Sequence, residues 1–308
     1  RDQEVLIDIR DHEGNPANDK FNITIQRLDG IAAVDGTGTV PSDSDVSIVW
    51  QFIPRDTSVQ EQPQFYTIGG TFSYVEDGVS VEVEMLPAGI TVQPDANLEL
   101  RYFHQRDVYS DDPYTDEIEP AEEFELGLLV TNVGHGAARE LSITSSQPEI
   151  IENEKGLLID FKIVGSQVGN EEVTPSLTVN LGNIDPAASQ VAAWKLTSTL
   201  QGKFKDFTAT FEHVTGMGDD RLSLINSVEI HELNHTVLAN RPTDDDIPDF
   251  LVNDIEDPDV LPDTLYQSDG SVAPVEIGQN ATVDGPAFFG DLQVMLSVDM
   301  LTGWNYTR

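Results

Sequence analysis

A two-residue period constrains this chain more than any other feature. Glu4-Val5-Leu6-Ile7-Asp8-Ile9-Arg10, Phe21-Asn22-Ile23-Thr24-Ile25 and Val79-Ser80-Val81-Glu82-Val83-Glu84-Met85 alternate, as do residues 46–52, with clusters of Gly, Pro, Asn and Asp between them. The same texture continues through residues 126–130, 157–163, 177–181, 207–211 and 223–225. Such alternation sends one set of side chains to a core and the other to solvent, and the turn residues close each run early. The expected fold is all-β, with tandem immunoglobulin-like or jelly-roll antiparallel sandwiches. Residues 187–200 could pass for an amphipathic helix. Trp194, Leu196, Ser198 and Leu200 nevertheless share one face of a strand, with Lys195, Thr197 and Thr199 on the other, so a strand is expected there.

Charge narrows the function classes. The 308 residues hold 55 Asp plus Glu against 16 Lys plus Arg, a net charge of −39, and no cysteine. Phosphate backbones and anionic membranes are gripped by Lys and Arg, so nucleic acid and membrane insertion are not expected. Without cysteine there is no disulfide framework, thiolate metal site or cysteine nucleophile. Hydrophobic residues at 39%, spread along the chain, argue for folding despite the charge. No apolar run approaches the ~18–20 residues of a membrane span. The chain starts at Arg1 without a signal-like stretch and ends at Arg308 after a strand-like run, which reads as a piece of a longer, secreted protein.

Composition divides the chain into residues 1–93, an N-terminal sandwich, 94–238, a second sandwich, 239–263, an acidic Pro-rich linker, and 264–308, a C-terminal strand arm. The second region carries a resemblance. Pro94, an early strand at residues 98–103, the run Glu123-Phe124-Glu125-Leu126-Gly127-Leu128-Leu129-Val130-Thr131-Asn132-Val133-Gly134-His135-Gly136 and a final hairpin resemble a CARDB-type module, in which an apolar strand leads into Asn-x-Gly. The resemblance covers residues 94–238. It implies an immunoglobulin-like spacing or adhesion module of large secreted and cell-surface microbial proteins, without enzymatic activity.

Four features carry candidate chemistry. His231-Glu232-Leu233-Asn234-His235 matches the zinc-protease pattern His-Glu-x-x-His, which needs a helix to bring both His onto one metal. The approach Leu222, Leu224, Val228, Ile230 is strand-like, and in a strand the two His stand ~13 Å apart. A zinc protease is therefore the remote alternative, and no enzyme or organic cofactor is expected. Asp107, Asp111, Asp112, Asp116 and Glu117, with Glu119, form one acidic cluster, and Asp244, Asp245, Asp246, Asp249, Asp254, Glu256 and Asp257 another. Both offer the hard oxygens Ca²⁺ requires, or plain solvation. Asn22, Asn234, Asn280 and Asn305 begin Asn-x-Ser/Thr sequons, which would carry N-linked glycans on a secreted surface. Tyr102, Tyr109, Tyr114 and Tyr266 would grip sugar rings or pack at domain junctions.

A further feature is the tail. Its 46 residues are too few for another sandwich of ~100 residues, yet Leu292, Val294, Leu296, Val298 and Met300 make one apolar face. That strand either folds back or completes a neighbouring subunit's sheet, and the Pro-rich arm before it gives the reach for the second course. The expectation is a self-assembling subunit of an extracellular, cell-surface filament or matrix. A monomeric carbohydrate-binding or adhesion module is the alternative.

Overall fold

The computed structural model describes residues 3–40, 43–144, 160–203, 224–239, 245–255, 261–278, 282–284, 295–297 and 304–306. They form two units, Arg1–Asp95 and Ala96–Arg308. The architecture is all-β, as the two-residue period predicts. A single short helix, Asn18–Lys20, occurs among the described residues, and no helix there is long and apolar enough to cross a membrane.

Unit 1 holds β1 (Gln3–Asp11), β2 (Phe21–Asp29), β3 (Asp35–Gly38), β4 (Ser47–Pro54), β5 (Gln64–Glu76) and β6 (Val79–Val92). One sheet has the order β3-β1-β5-β6, and β2 pairs with β4 in another. Ile9, Tyr66 and Val92 from the first meet Phe21 from the second, where the Phe21 and Tyr66 rings stand edge to face at 5.0 Å. Asn18 ties the short helix to β1, accepting from the Ile9 N–H and donating to the Ile7 carbonyl, both at 2.8 Å. The β5–β6 hairpin turns through Asp77-Gly78, both with positive φ, the mirror-image turn whose twist matches its strands.

Unit 2 begins with β7 (Leu98–His104), β8 (Asp107–Val108), β9 (Glu123–Asn132), β10 (Ala138–Thr144), β11 (Phe161–Val168) and β12 (Glu171–Val173). It continues with β13 (Thr178–Ile184), β14 (Ser189–Ser198), β15 (Gly202–Lys203), β16 (Ile225–Val237), β17 (Asp249–Val252), β18 (Thr264–Tyr266) and β19 (Val272–Ile277). Three short strands follow: β20 (Thr282–Asp284), β21 (Met295–Ser297) and β22 (Trp304–Tyr306). The central strands run β12-β11-β14-β9-β7-β16 and continue through β17-β18-β19-β22. Residues 187–200 supply β14, with Trp194, Leu196 and Ser198 buried together as the alternation requires.

Three layers account for the core. Leu98, Leu100 and Tyr102 of β7, Phe124, Leu126, Leu128 and Val130 of β9, and Ala192, Trp194 and Leu196 of β14 pack against Leu141, Ile143, Val179 and Leu181 of the β10–β13 pair. The opposite face of the same strands presents Phe103, Leu129 and Val191, covered by Leu233, Phe250, Val252 and Tyr266. A sheet buried on both faces needs apolar residues at consecutive positions, hence the unbroken Leu128-Leu129-Val130. β16 joins the layers. It runs parallel to β7 as far as Glu232, then antiparallel to β17 from Leu233, with an irregularity between Leu233 and His235. This parallel pair, like that of β19 with β22, departs from the purely antiparallel expectation.

Two of the expected segments contribute strands to this unit. The segment expected to be an acidic linker at 239–263 contains β17, whose four residues are all buried. The expected C-terminal strand arm from 264 contributes β18 and β19, with Leu265 and Val275 buried beside Leu251. Asp-Phe-Leu-Val is short and flanked by acids and prolines, but its Phe250 fills a site the sandwich leaves open. Gly127 makes that site: a Cβ there would fall within the Phe250 ring, so the ring lies directly on the β9 backbone.

Candidate functional site

The His-Glu-x-x-His pattern lies on β16, and its members part company. His231 Nδ1 lies 2.8 Å from Asp254 Oδ1, and its Nε2 lies 3.7 Å from Glu229. Its ring rests on Phe103 at 5.4 Å and Tyr266 at 4.6 Å. Glu232 instead pairs with Arg106 at 3.1 Å, and His235 is exposed. The Tyr266 hydroxyl donates to the other Asp254 oxygen at 2.7 Å. Burial raises the Asp254 carboxyl, but the His231 and Tyr266 hydrogen bonds outweigh it and hold the group below its ordinary value. Burial, then the Asp254 carboxylate, pushes the Tyr266 phenol up. Arg101 completes the cluster, bonding Glu99 and Glu229 at 3.0 Å each, with its guanidinium 5.9 Å from the Tyr266 ring centroid. This arrangement fastens β16, β7, β18 and the turn after β17 through charge-assisted bonds. Arg101 carried no motif, and only its apolar strand context could have signalled its role.

The acidic residues cap backbone. Asp111 accepts from the Glu119 N–H at 3.2 Å, Asp112 from the Tyr114 N–H at 2.9 Å, and Glu119 from the Asp112 N–H at 3.0 Å. The Asp112 N–H, then the Thr115 hydroxyl, lowers the Glu119 carboxyl. Asp107 lies in β8 opposite Lys203, and Asp116 and Glu117 are exposed. In the second cluster Asp249, 1% exposed, accepts from the Ala239 N–H at 2.8 Å and the Ser268 N–H at 2.7 Å. Asp245 accepts from the Ile247 N–H and the Ser268 hydroxyl, while Asp246 adopts a φ of 54°. Asp263 caps Asp254 and Ile255. Asp244, Glu256 and Asp257 lie outside the described residues. Among the described residues no three His, Asp or Glu side chains gather as a metal site.

Asn132 gives the Asn-x-Gly turn its physical meaning. The residue is 0% exposed, and its side chain makes four hydrogen bonds: Oδ1 accepts from Asn97 and Gly134, and Nδ2 donates to Gly136 and Ile184. One amide thus binds three loops at the end of the sandwich. Of the sequons, Asn22 is exposed on β2 and accepts from Arg55 at 2.9 Å. Asn234 is half-buried with its side-chain oxygen enclosed. Asn305 lies in β22, and Asn280 is outside the described residues. Tyr102 and Tyr266 are buried and unavailable to sugars, while Tyr109 and Tyr114 are exposed.

His104 offers a pH test of the core. It is buried at the end of β7, its ring edge-on to Phe124; burial first, then the Arg106 charge, pushes its pKa down to about 4. A depressed value means that the unfolded chain takes up the proton first as pH falls below ~6.5. Stability is held above that point and declines toward pH 4, by about 3 kcal/mol for this group. Urea midpoints at pH 7 and 4.5 should therefore separate more in the native chain than in His104→Gln.

Among the described residues the longest edge strand is in unit 1. Among the described residues β6 pairs with β5 on one side and with nothing on the other over its 14 residues. Val79 and Val83 are 63% and 47% exposed, and an irregularity between Ile68 and Gly70 of β5 leaves Leu86 94% exposed. Phe72 and Tyr74 stack at 5.4 Å and lie opposite Val83 and Val81. Of the tail face, Leu296 lies in β21, which pairs with β20; Leu292, Val294, Val298 and Met300 lie outside the described residues. Family models, curated proteins and solved structures were all compared with the chain, and none matches. The fold and site define a class, an all-β sandwich chain with a long edge strand that is open among the described residues.

Proposed function

We propose that the chain is a structural subunit of an extracellular, cell-surface filament or matrix, assembled by β-strand addition. The observation that carries this reading is β6: a long edge strand with exposed Val79, Val83 and Leu86 and one unoccupied side among the described residues. Such an edge templates a further strand, whose main-chain bonds give affinity and whose alternate side chains set register. Residues 292–300 of a second copy are the favoured donor. From 292 to 298 they bring no charge to an edge that carries Glu82 and Glu84. Head-to-tail donation that does not close builds a filament. The resemblance to CARDB-type modules, and the fit of Asn132 to its motif, agree with a spacing role; Ca²⁺ and N-linked glycans are the expected additions.

Negative-stain microscopy and light scattering test the reading. The chain should form oligomers or filaments that Val83→Lys abolishes without lowering Tm, because a charge on an exposed edge blocks pairing and disturbs no core. Truncation after Gly278 should act alike while keeping β17 to β19. Monodisperse particles at every concentration would point instead to a monomeric adhesion module.

A further inference from the structure

The centre of the apolar tail already has a neighbour. β21 pairs antiparallel with β20, placing Thr282 opposite Ser297, Val283 opposite Leu296 and Asp284 opposite Met295. These strands form a sheet of their own, and among the described residues neither has a second partner. Two strands of three residues each bury too little to stand alone in water, and a hairpin gains stability when a third strand joins it. β6 is such a strand, because its 14 residues pair with β5 on one side only among the described residues. One chain thus holds both halves of a joint: an edge strand in unit 1 with an unoccupied side among the described residues, and a sheet in unit 2 that lacks a third strand there.

We infer, resting on the strand-addition reading above, that a second copy adds its β20–β21 hairpin to β6 as one body instead of donating a lone strand. Charge orients the hairpin. β21 is Met295-Leu296-Ser297, without charge, whereas β20 carries Asp284. Glu82 and Glu84 are exposed on β6, and like charges on adjacent strands repel, so the uncharged strand is the one this edge accepts. The order β3-β1-β5-β6 then continues through β21 and β20 of the second copy. Donating β21 alone would first break its pairing with β20, a cost that adding a preformed hairpin avoids. The hairpin also ends the sheet. Its outer strand, β20, is three residues long and carries a carboxylate, the short, charged kind of edge that resists further pairing. Each joint therefore takes one hairpin, and copies follow one another in line instead of stacking sideways.

A disulfide across the hairpin tests this. The chain has no cysteine, and opposed residues of an antiparallel pair stand ~4.5–5.5 Å apart at Cα, inside the ~4.4–6.8 Å that a disulfide spans. The full chain carrying Thr282→Cys and Ser297→Cys, oxidised while dilute and shown monomeric on a non-reducing gel, is compared with its reduced form and the native chain by light scattering and negative-stain microscopy. The locked chain should assemble at a concentration equal to or below that of the reduced one, and Val83→Lys should abolish assembly of both. Assembly of the reduced form alone would mean that a lone strand leaves β20, so the hairpin inference falls while strand addition stands. Native, reduced and locked chains that all stay monodisperse, or assembly indifferent to Val83→Lys, would overturn both. Failure of the two cysteines to join would show that positions 282 and 297 are not opposed and overturn the inference alone. Hydrogen exchange in the native chain reads the same point without cysteines: residues 282–284 should keep or gain protection on assembly, and their loss of protection would overturn the inference.

Discussion

Phe250→Ala is expected to lower the stability of unit 2 by about 3–5 kcal/mol, the range for emptying an aromatic site in a core. The ring stacks on Phe103 at 4.2 Å with an interplanar angle of 11°, lies on the bare backbone at Gly127, and joins Leu129, Val191, Leu233 and Val252. Its removal leaves the outer face of β9 uncovered, because no Cβ at 127 can fill the gap. Urea denaturation of the variant should show a lower midpoint with an unchanged slope. Gly127→Ala should cost ~1–3 kcal/mol by the opposite fault, crowding the ring it now admits. An unstructured linker would give neither result, so the pair of variants tests directly whether residues 249–252 belong to the core.

Asn132→Ala is expected to cost about 3 kcal/mol or more. The substitution strands the Asn97 and Gly134 N–H groups and the Gly136 and Ile184 carbonyls, and each buried orphan costs ~1–3 kcal/mol unless water reaches it. Asn132→Asp separates the two halves of the amide. It keeps the acceptor for both N–H groups and loses both donors, so it should fall at least as far, with partial recovery at low pH when the carboxyl is protonated and can donate once. A simple turn residue would tolerate Ala or Gly, and equal Tm values would show that the loops hold without this amide.

The strands of the sandwich were legible because their faces differ. Trp194, Leu196 and Ser198 against Lys195 and Thr197 fix both the strand and its orientation, and Phe124, Leu126 and Leu128 do the same for β9. The third layer was not legible. Asp249-Phe250-Leu251-Val252 is too short for a period to show, and its acidic, Pro-rich setting has the composition of a linker. The carboxylates misled for a related reason: sequence shows their number, while only the fold shows that Asp249, Asp254 and Asp263 meet N–H and O–H groups of neighbouring strands. The spacing of His231 to His235 points to a metal pair, whereas its hydrogen-bond partner, Asp254, lies 23 positions away. The open side of β6 among the described residues follows from sheet order, which no single strand encodes.

Hydrogen exchange across residues 79–92, compared between dilute and concentrated chain and read by mass spectrometry of β6 peptides, tests strand addition most directly. The outward N–H groups of an edge strand exchange freely, and a paired neighbour protects them. The account predicts that protection of β6 rises with assembly and fails to rise in Val83→Lys. Assembly that leaves β6 exchanging as in the dilute chain would contradict it, and would move the contact between copies to another surface.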